Sequence, residues 1–396
     1  MTDEQVLFAV ICFLYITDCF VWLDRHSVAF VSSSWNKWRL VFPSVLFGNA
    51  DAGLVLLNPL PSSGLSYVCR LLPVSISPLG ICAYNSQTLR SGGKSSQTGI
   101  TIPFTDIRNV CSEGKSIIVN ESRFVKCGTE FQASVLADFL KSVSSAPEEN
   151  RDSLIRGFFQ RTLDDDSAKS FLETVSGQTR ILRLLCNITF FFIFLAMPLL
   201  VIYYGLRTMI IPVGICSFLL SIRISVEFYI SHKKLYPQAS EDRIVNLLKV
   251  ILCPPVAIRA PDIIANSSLD SFHPLNIAHI LLDKNKYRTF ARELMADLKY
   301  PMHHDLTDNN GMLITKWNND TLFDLCGRYL KDVAKLKIDL FAPPAQTDEH
   351  CRSYCPRCLG QLNRVSGECP DCPGVKLVLF SPNKQESSEG SGVRDE

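Results

Sequence analysis

Near its C-terminal end the chain reads Cys355-Pro356-Arg357-Cys358 and then, ten residues on, Cys369-Pro370-Asp371-Cys372. Two residues between cysteines let the sulfurs of a tight turn converge, and two such turns supply the four thiolates of a tetrahedral Zn²⁺ site. Four protein ligands fill the coordination sphere, so the spacing predicts a structural ion with no position left for substrate. His350 and Cys351 stand close by as substitute ligands, but the two CxxC pairs are better placed. A module of roughly 30 residues buries too little apolar surface to fold unaided, so bound metal would supply most of its folding energy.

The two CPxC pairs resemble the zinc-ribbon group, in which such knuckles top short β-hairpins; the match covers Tyr354 to Phe380. Gly360 stands where the first knuckle wants a flexible turn, and Val375 to Phe380 reads as a closing strand. The chain departs from the group after Cys372, where Pro373 precedes Gly374. Proline has no N–H to offer the sulfur of the second knuckle.

Outside this module catalytic chemistry is hard to find. No glycine-rich phosphate loop, HExxH helix or GxSxG elbow occurs. His303 and Asp308, four residues apart, have the spacing of glycerolipid acyltransferases, which resemblance would make His303 a base toward an acceptor hydroxyl; the phosphate-binding block of that family is missing. Asp164-Asp165-Asp166 precede a helical segment and read as charge for its N-terminus.

Lys and Arg total 40 against 39 Asp and Glu, so no global field favours nucleic acid. The mean hydropathy is slightly positive. Of the 15 cysteines, ten (Cys12, Cys19, Cys69, Cys82, Cys111, Cys127, Cys186, Cys216, Cys253, Cys326) are scattered singly, the pattern of buried thiols in a reducing compartment and not of a disulfide framework.

Leu184 to Tyr204 carries no charge, and at about 1.5 Å per residue it crosses a bilayer core of about 30 Å. After Gly205 a second apolar run, from Met209, continues into a segment holding Arg223 and Glu227, one helical turn apart and expected near the headgroups. Residues 183–231 are thus expected to form a transmembrane hairpin. Residues 5–23 read as a signal anchor, since acidic Asp3 and Glu4 replace a positive leader region. Basic residues cluster at Arg25, Lys37 and Arg39, at Arg180 and Arg183, and at Lys233 and Lys234. That bias places the N-terminus outside and the C-terminus in the cytoplasm. Leu247 to Ala265 is apolar but broken by Pro254-Pro255 and punctuated by Lys249, Arg259 and Asp262, which suits a surface-lying or re-entrant segment better than a straight span.

Residues 27–145 alternate short strands with turn clusters at Asn58–Gly64 and Ser91–Ser96 and end in an amphipathic helix, with Thr129 and Gln132 as a capping box. The order of IPFTDIRNV, SIIVN, RFVKC and that helix resembles the close of bacterial pleckstrin-homology-like domains, which implies a docking module without catalytic residues. Residues 152–180 form a helical connector, 235–340 a helical domain on the membrane surface, 350–380 the zinc ribbon and 381–396 a disordered tail. The fold class expected is therefore an α+β multi-domain membrane protein. Its partners are the lipid bilayer and other proteins, with no nucleic acid. The function expected is a non-enzymatic, membrane-anchored protein with cytoplasmic interaction or regulatory modules. The alternative is a membrane-associated enzyme working through His303 and Asp308, or through polar residues near Pro254 to Asp262.

Overall fold

The computed structural model describes residues 2–21, 27–32, 38–41, 66–70, 74–83, 100–253, 257–266, 271–300, 309–339, 342–348 and 350–380. The strand expected at 53–57, both turn clusters, Pro254-Pro255, His303, Asp308 and the 381–396 tail lie outside these residues. What is described is a mixed helix-and-sheet protein with small antiparallel sheets, two long apolar helices and a C-terminal cysteine cluster.

The strands form three-stranded sheets. Ser27–Ser32 is flanked by Trp38–Val41 and Ser66–Arg70, and Gly80–Ala83 by Val74–Ser77 and Ile100–Pro103. Val110–Glu113, Ser116–Val119 and Ser122–Lys126 follow as a meander. The helix Glu130–Ser145 then closes this run, with Thr129 Oγ1 accepting from Gln132 N and Leu136, Leu140 and Val143 buried on its inner face. Ile100–Pro103 belongs to the preceding sheet, so the three strands before the helix are Val110–Glu113, Ser116–Val119 and Ser122–Lys126.

The helices Glu148–Thr162 and Asp165–Gln178 lead into Arg180–Tyr204, which turns at Gly205 (φ +81°) into Leu206–Leu235. Pro198 lacks a helical N–H and crowds the carbonyl one turn back, and a π turn at Phe192–Ala196 absorbs the conflict. Both helices are long and apolar enough to cross a membrane. Only 28% of the apolar window of the first and 17% of the second is buried inside the protein, whereas a core helix of a soluble protein would be mostly covered. The N-terminal helix Asp3–Val21 lies against this hairpin: Phe8 meets Phe194 edge to face, and Leu7 and Ile11 pack on Met197, Val201 and Val213.

After the hairpin come Ser240–Leu252, Ala260–Asn266, Pro274–Leu281, Lys284–Lys299 and Asn309–Asp332. These helices share a core with the strands that precede the hairpin. Phe30, Ile76, Ile81, Ile117, Leu140, Ile155, Leu275, Phe290 and Leu325 belong to one buried cluster. Phe30 and Phe290 meet edge to face, and Asn318 Oδ1, on the last long helix, accepts from the buried N–H of Ile76. The two segments that the sequence presents as separate modules thus bury their apolar faces against each other.

A second junction is polar. Asp242 Oδ2 accepts from Glu130 N at 2.8 Å, while Glu130 Oε2 accepts from Glu241 N at 3.0 Å and Asp242 N at 3.2 Å. Two helices therefore cap each other's N-termini, where unpaired N–H groups and the helix dipole favour a carboxylate. Lys115 completes the knot, 2.7 Å from the other oxygen of the buried Asp242. The turn carrying Lys115 comes so close that a Cβ on Gly114 (φ +54°) would stand 2.4 Å from the Glu241 carboxylate.

Truncating Asp242 strands the Glu130 N–H at the start of one helix, and truncating Glu130 strands the Glu241 and Asp242 N–H groups at the start of the other. Asp242→Ala and Glu130→Ala should each cost about 1–3 kcal/mol in denaturant unfolding of the detergent-solubilised chain, and the double variant less than the two together. Additive losses would show that the two caps are independent.

Candidate metal centre and a buried polar network

The ligand atoms of Cys355, Cys358, Cys369 and Cys372 all lie within 4.8 Å of one another. Local backbone geometry brings them there. In the first knuckle Leu359 N donates to Cys355 O and Cys355 N to Gly360 O. In the second, Val375 N donates to Cys372 O and Cys369 N to Val375 O. Below the knuckles Ser353–Tyr354 pairs with Gln361–Leu362 on one side and Val378–Leu379 on the other, so the expected closing strand is the edge of a three-stranded sheet.

The left-handed residue of the first knuckle is Leu359 (φ +61°). Gly360 comes close to the sulfur: a Cβ there would stand 3.3 Å from Cys358 Sγ, close enough that the sulfur would have to give by a few tenths of an ångström. In the second knuckle Gly374 takes the left-handed turn (φ +81°) and its N–H goes to Glu368 Oε2. His350 and Cys351 do not join the cluster; Cys351 Sγ lies 3.9 Å from Asn363 Oδ1 instead.

The four residues can hold a metal ion. Burial, followed by the neighbouring Cys355, pushes the Cys358 thiol up to about 11, and burial with the charge of Cys358 raises Cys372 as well. Four sulfurs this close cannot share negative charge by themselves; a bound cation removes that penalty and deprotonates its ligands. The module is also tied to the body. Arg357, inside the first knuckle, directs Nε and Nη2 to Asp297 Oδ1 at 2.9 and 2.8 Å, and Tyr300 packs on the cysteine cluster.

A second group of polar side chains has no counterpart in the sequence reading. Asp164 stands at the N-cap of Asp165–Gln178, where it accepts from the Ser167 hydroxyl, but Asp165 reaches across to two other helices. Its Oδ2 is 2.9 Å from His279 Nδ1 and its Oδ1 accepts from the Tyr329 hydroxyl. Burial, and then the Asp165 carboxylate it donates to, keeps that hydroxyl protonated. Nearby, Cys326 Sγ lies 3.8 Å from Nε2 of His273, whose Nδ1 accepts from Leu275 N at the start of Pro274–Leu281. Burial pushes Cys326 up to about 12 and His273 down to about 4. The pair is therefore a neutral thiol beside a neutral imidazole, not the thiolate and imidazolium of an activated nucleophile. These residues are scattered from 165 to 329, and only the packing of three helices joins them.

Compared with known proteins, the chain matches no family model, no curated protein and no solved structure.

Metal analysis of the purified chain should find about one tightly held ion, lost in the double variant Cys355→Ser, Cys369→Ser; metal retained by that variant would rule the site out. The buried neutral His273 gives a separate test. Its folded value lies below the ordinary 6.5, so its contribution is complete above about pH 6.5 and is lost as pH falls toward 4, by up to about 3 kcal/mol. His273→Asn, which keeps a cap acceptor but does not titrate, should flatten that part of the stability profile.

Proposed function

We propose that this chain is an integral membrane protein, held by the hairpin Arg180–Leu235, that carries a cytoplasmic body and a zinc-ribbon module whose role is interaction and not catalysis. The observation that carries the reading is the four-cysteine cluster, tied through Arg357 to a body whose apolar hairpin is mostly uncovered. Zn²⁺ suits four thiolates with tetrahedral spacing, and with four protein ligands it serves as a fold-forming ion. When bound, it supplies charge for the sulfurs; the chain's own Tyr300 and Arg357 fix where the module sits.

Membrane anchoring also gives a consistent orientation. Leu7 and Ile11 pack in the hairpin cluster of Met197, Val201 and Val213, and Ile11 also joins the cluster of Ile193 and Ile258. This packing supports a third helix beside the hairpin, whose start we assign to the side of Gly205. Arg180, Arg183, Lys233 and Lys234 lie at the body end, which the positive-inside bias assigns to the cytoplasm. The Arg223–Glu227 pair, 2.5 Å apart, lies at that same end beside Ile224 and Phe228, where snorkelling limits its cost.

The chain should stay with the membrane pellet after alkaline carbonate washing, with the zinc module open to protease from the cytoplasmic side; release into the wash would sink the anchoring. Affinity isolation from detergent extract should return a stoichiometric protein that is lost on Cys355→Ser with Cys369→Ser. Recovery of the chain alone would sink the interaction role.

A further inference from the structure

The helix Ser240–Leu252 exposes an apolar stripe while burying part of its charge. Asp242 and Arg243 are buried, Asp242 in the cap exchange with Glu130 and Lys115, and Arg243 against the Tyr236 carbonyl and the Tyr229 ring, whereas Glu241 and Lys249 are exposed at its edges. Its outward side carries Ile244, Val245, Leu248 and Leu252, the last 79% exposed. At helical spacing these four fall within a sector of roughly 100°. An apolar stripe turned away from the core needs something apolar to face.

The direction of the chain says what that is. Arg243 lies against Tyr229, and Leu247 and Val250 pack into the cluster of Leu182, Cys186, Ile224 and Phe228. The helix therefore runs back along the return helix, away from the body and toward the hairpin turn. Ala257 follows, its carbonyl 3.4 Å from Cys186 Sγ, and Ile258 packs with Ile193, Phe190 and Ile11. Ile193 lies nine residues past Leu184, the first of the apolar run, about 13 Å along a helix at ~1.5 Å per residue. From there Ala260–Asn266 climbs out again, and the Tyr236 hydroxyl donates to Ile264 O.

We propose that residues 240–252 and 257–266 form a re-entrant element that enters one leaflet of the bilayer from the body side, with Ile244, Val245, Leu248 and Leu252 facing acyl chains. The proposal rests on the membrane anchoring above and adds a second, non-spanning contact with lipid. Two features fit a site at membrane depth. In residues 257–266 Ala257, Ile258, Ala260, Ile264 and Ala265 are fully buried, as non-spanning backbone in a hydrocarbon layer must be sheltered. The charges carried there are neutralised in place, with Arg259 Nη1 3.3 Å from the buried Asp262 carboxylate. Lys249, at the rim of the apolar stripe, has a stem long enough to snorkel toward the headgroups. The return helix, whose Tyr229 ring Arg243 lies over, likewise exposes Val226, Tyr229 and Ile230.

Depth-resolved quenching of the full chain in vesicles tests this. Tryptophan reporters Ile244→Trp, Leu252→Trp and, on the hairpin, Leu199→Trp are placed singly on exposed positions, and their emission is compared with the unsubstituted chain in phosphatidylcholine brominated either near the headgroup or deep in the acyl chain. Leu252→Trp should lose more emission to the deep label and Ile244→Trp more to the shallow one. Equal, shallow-only quenching of both would mean a helix lying on the surface and would overturn re-entry. No quenching of either, with Leu199→Trp still quenched, would also overturn it, leave the anchoring intact and point to a protein covering the stripe. If Leu199→Trp were itself unquenched, the anchoring would fail first.

Discussion

The hairpin Arg180–Leu235 leaves the body and comes back to it at the same end, and the rest of the structure answers to that return. The Val110–Lys126 strands are covered by the helix Glu130–Ser145 that follows them, but Val74–Ser77 is completed by a helix made after the hairpin. Ile76, on an early strand, has its N–H satisfied by Asn318, some 240 positions later. The closing contact is ionic: two helix N-termini exchange carboxylates, Glu130 for Asp242, with Lys115 neutralising the more deeply buried one. Because each carboxylate meets backbone donors with partial positive charge, the knot satisfies orphan N–H groups and holds the two halves of the chain in register.

The same return explains why some charge is buried beside the hairpin. Where a helix leaves the body along an apolar neighbour, charged residues on its inner side turn to partners and aliphatic residues face outward. Asp242, Arg243 and Asp262 take the inner positions; Ile244, Leu248 and Leu252 take the outer ones. A burial pattern of this kind reads as a mistake in water and as ordinary in lipid.

The cysteine module is a satellite of this body. Its four sulfurs converge through turns of a few residues, so nothing distant is needed to build the site. What the body adds is position, through Arg357 on Asp297 and Tyr300 against the knuckles.

By itself the sequence determined whatever depends on local spacing. The four-cysteine cluster was legible because two residues between cysteines dictate a convergent turn. The apolar helices were legible from length and composition, and the helix at 130–145 from its period and cap. What the sequence did not show is that Leu359 takes the left-handed backbone while Gly360 makes the close approach to sulfur. Only the tertiary structure decided that the segments on either side of the hairpin share one core, that Asp165, His279 and Tyr329 meet, and that Ser240–Leu252 turns Asp242 and Arg243 inward. Those contacts join residues more than a hundred positions apart, and periodicity along a chain records which residues share a face but not what that face will meet.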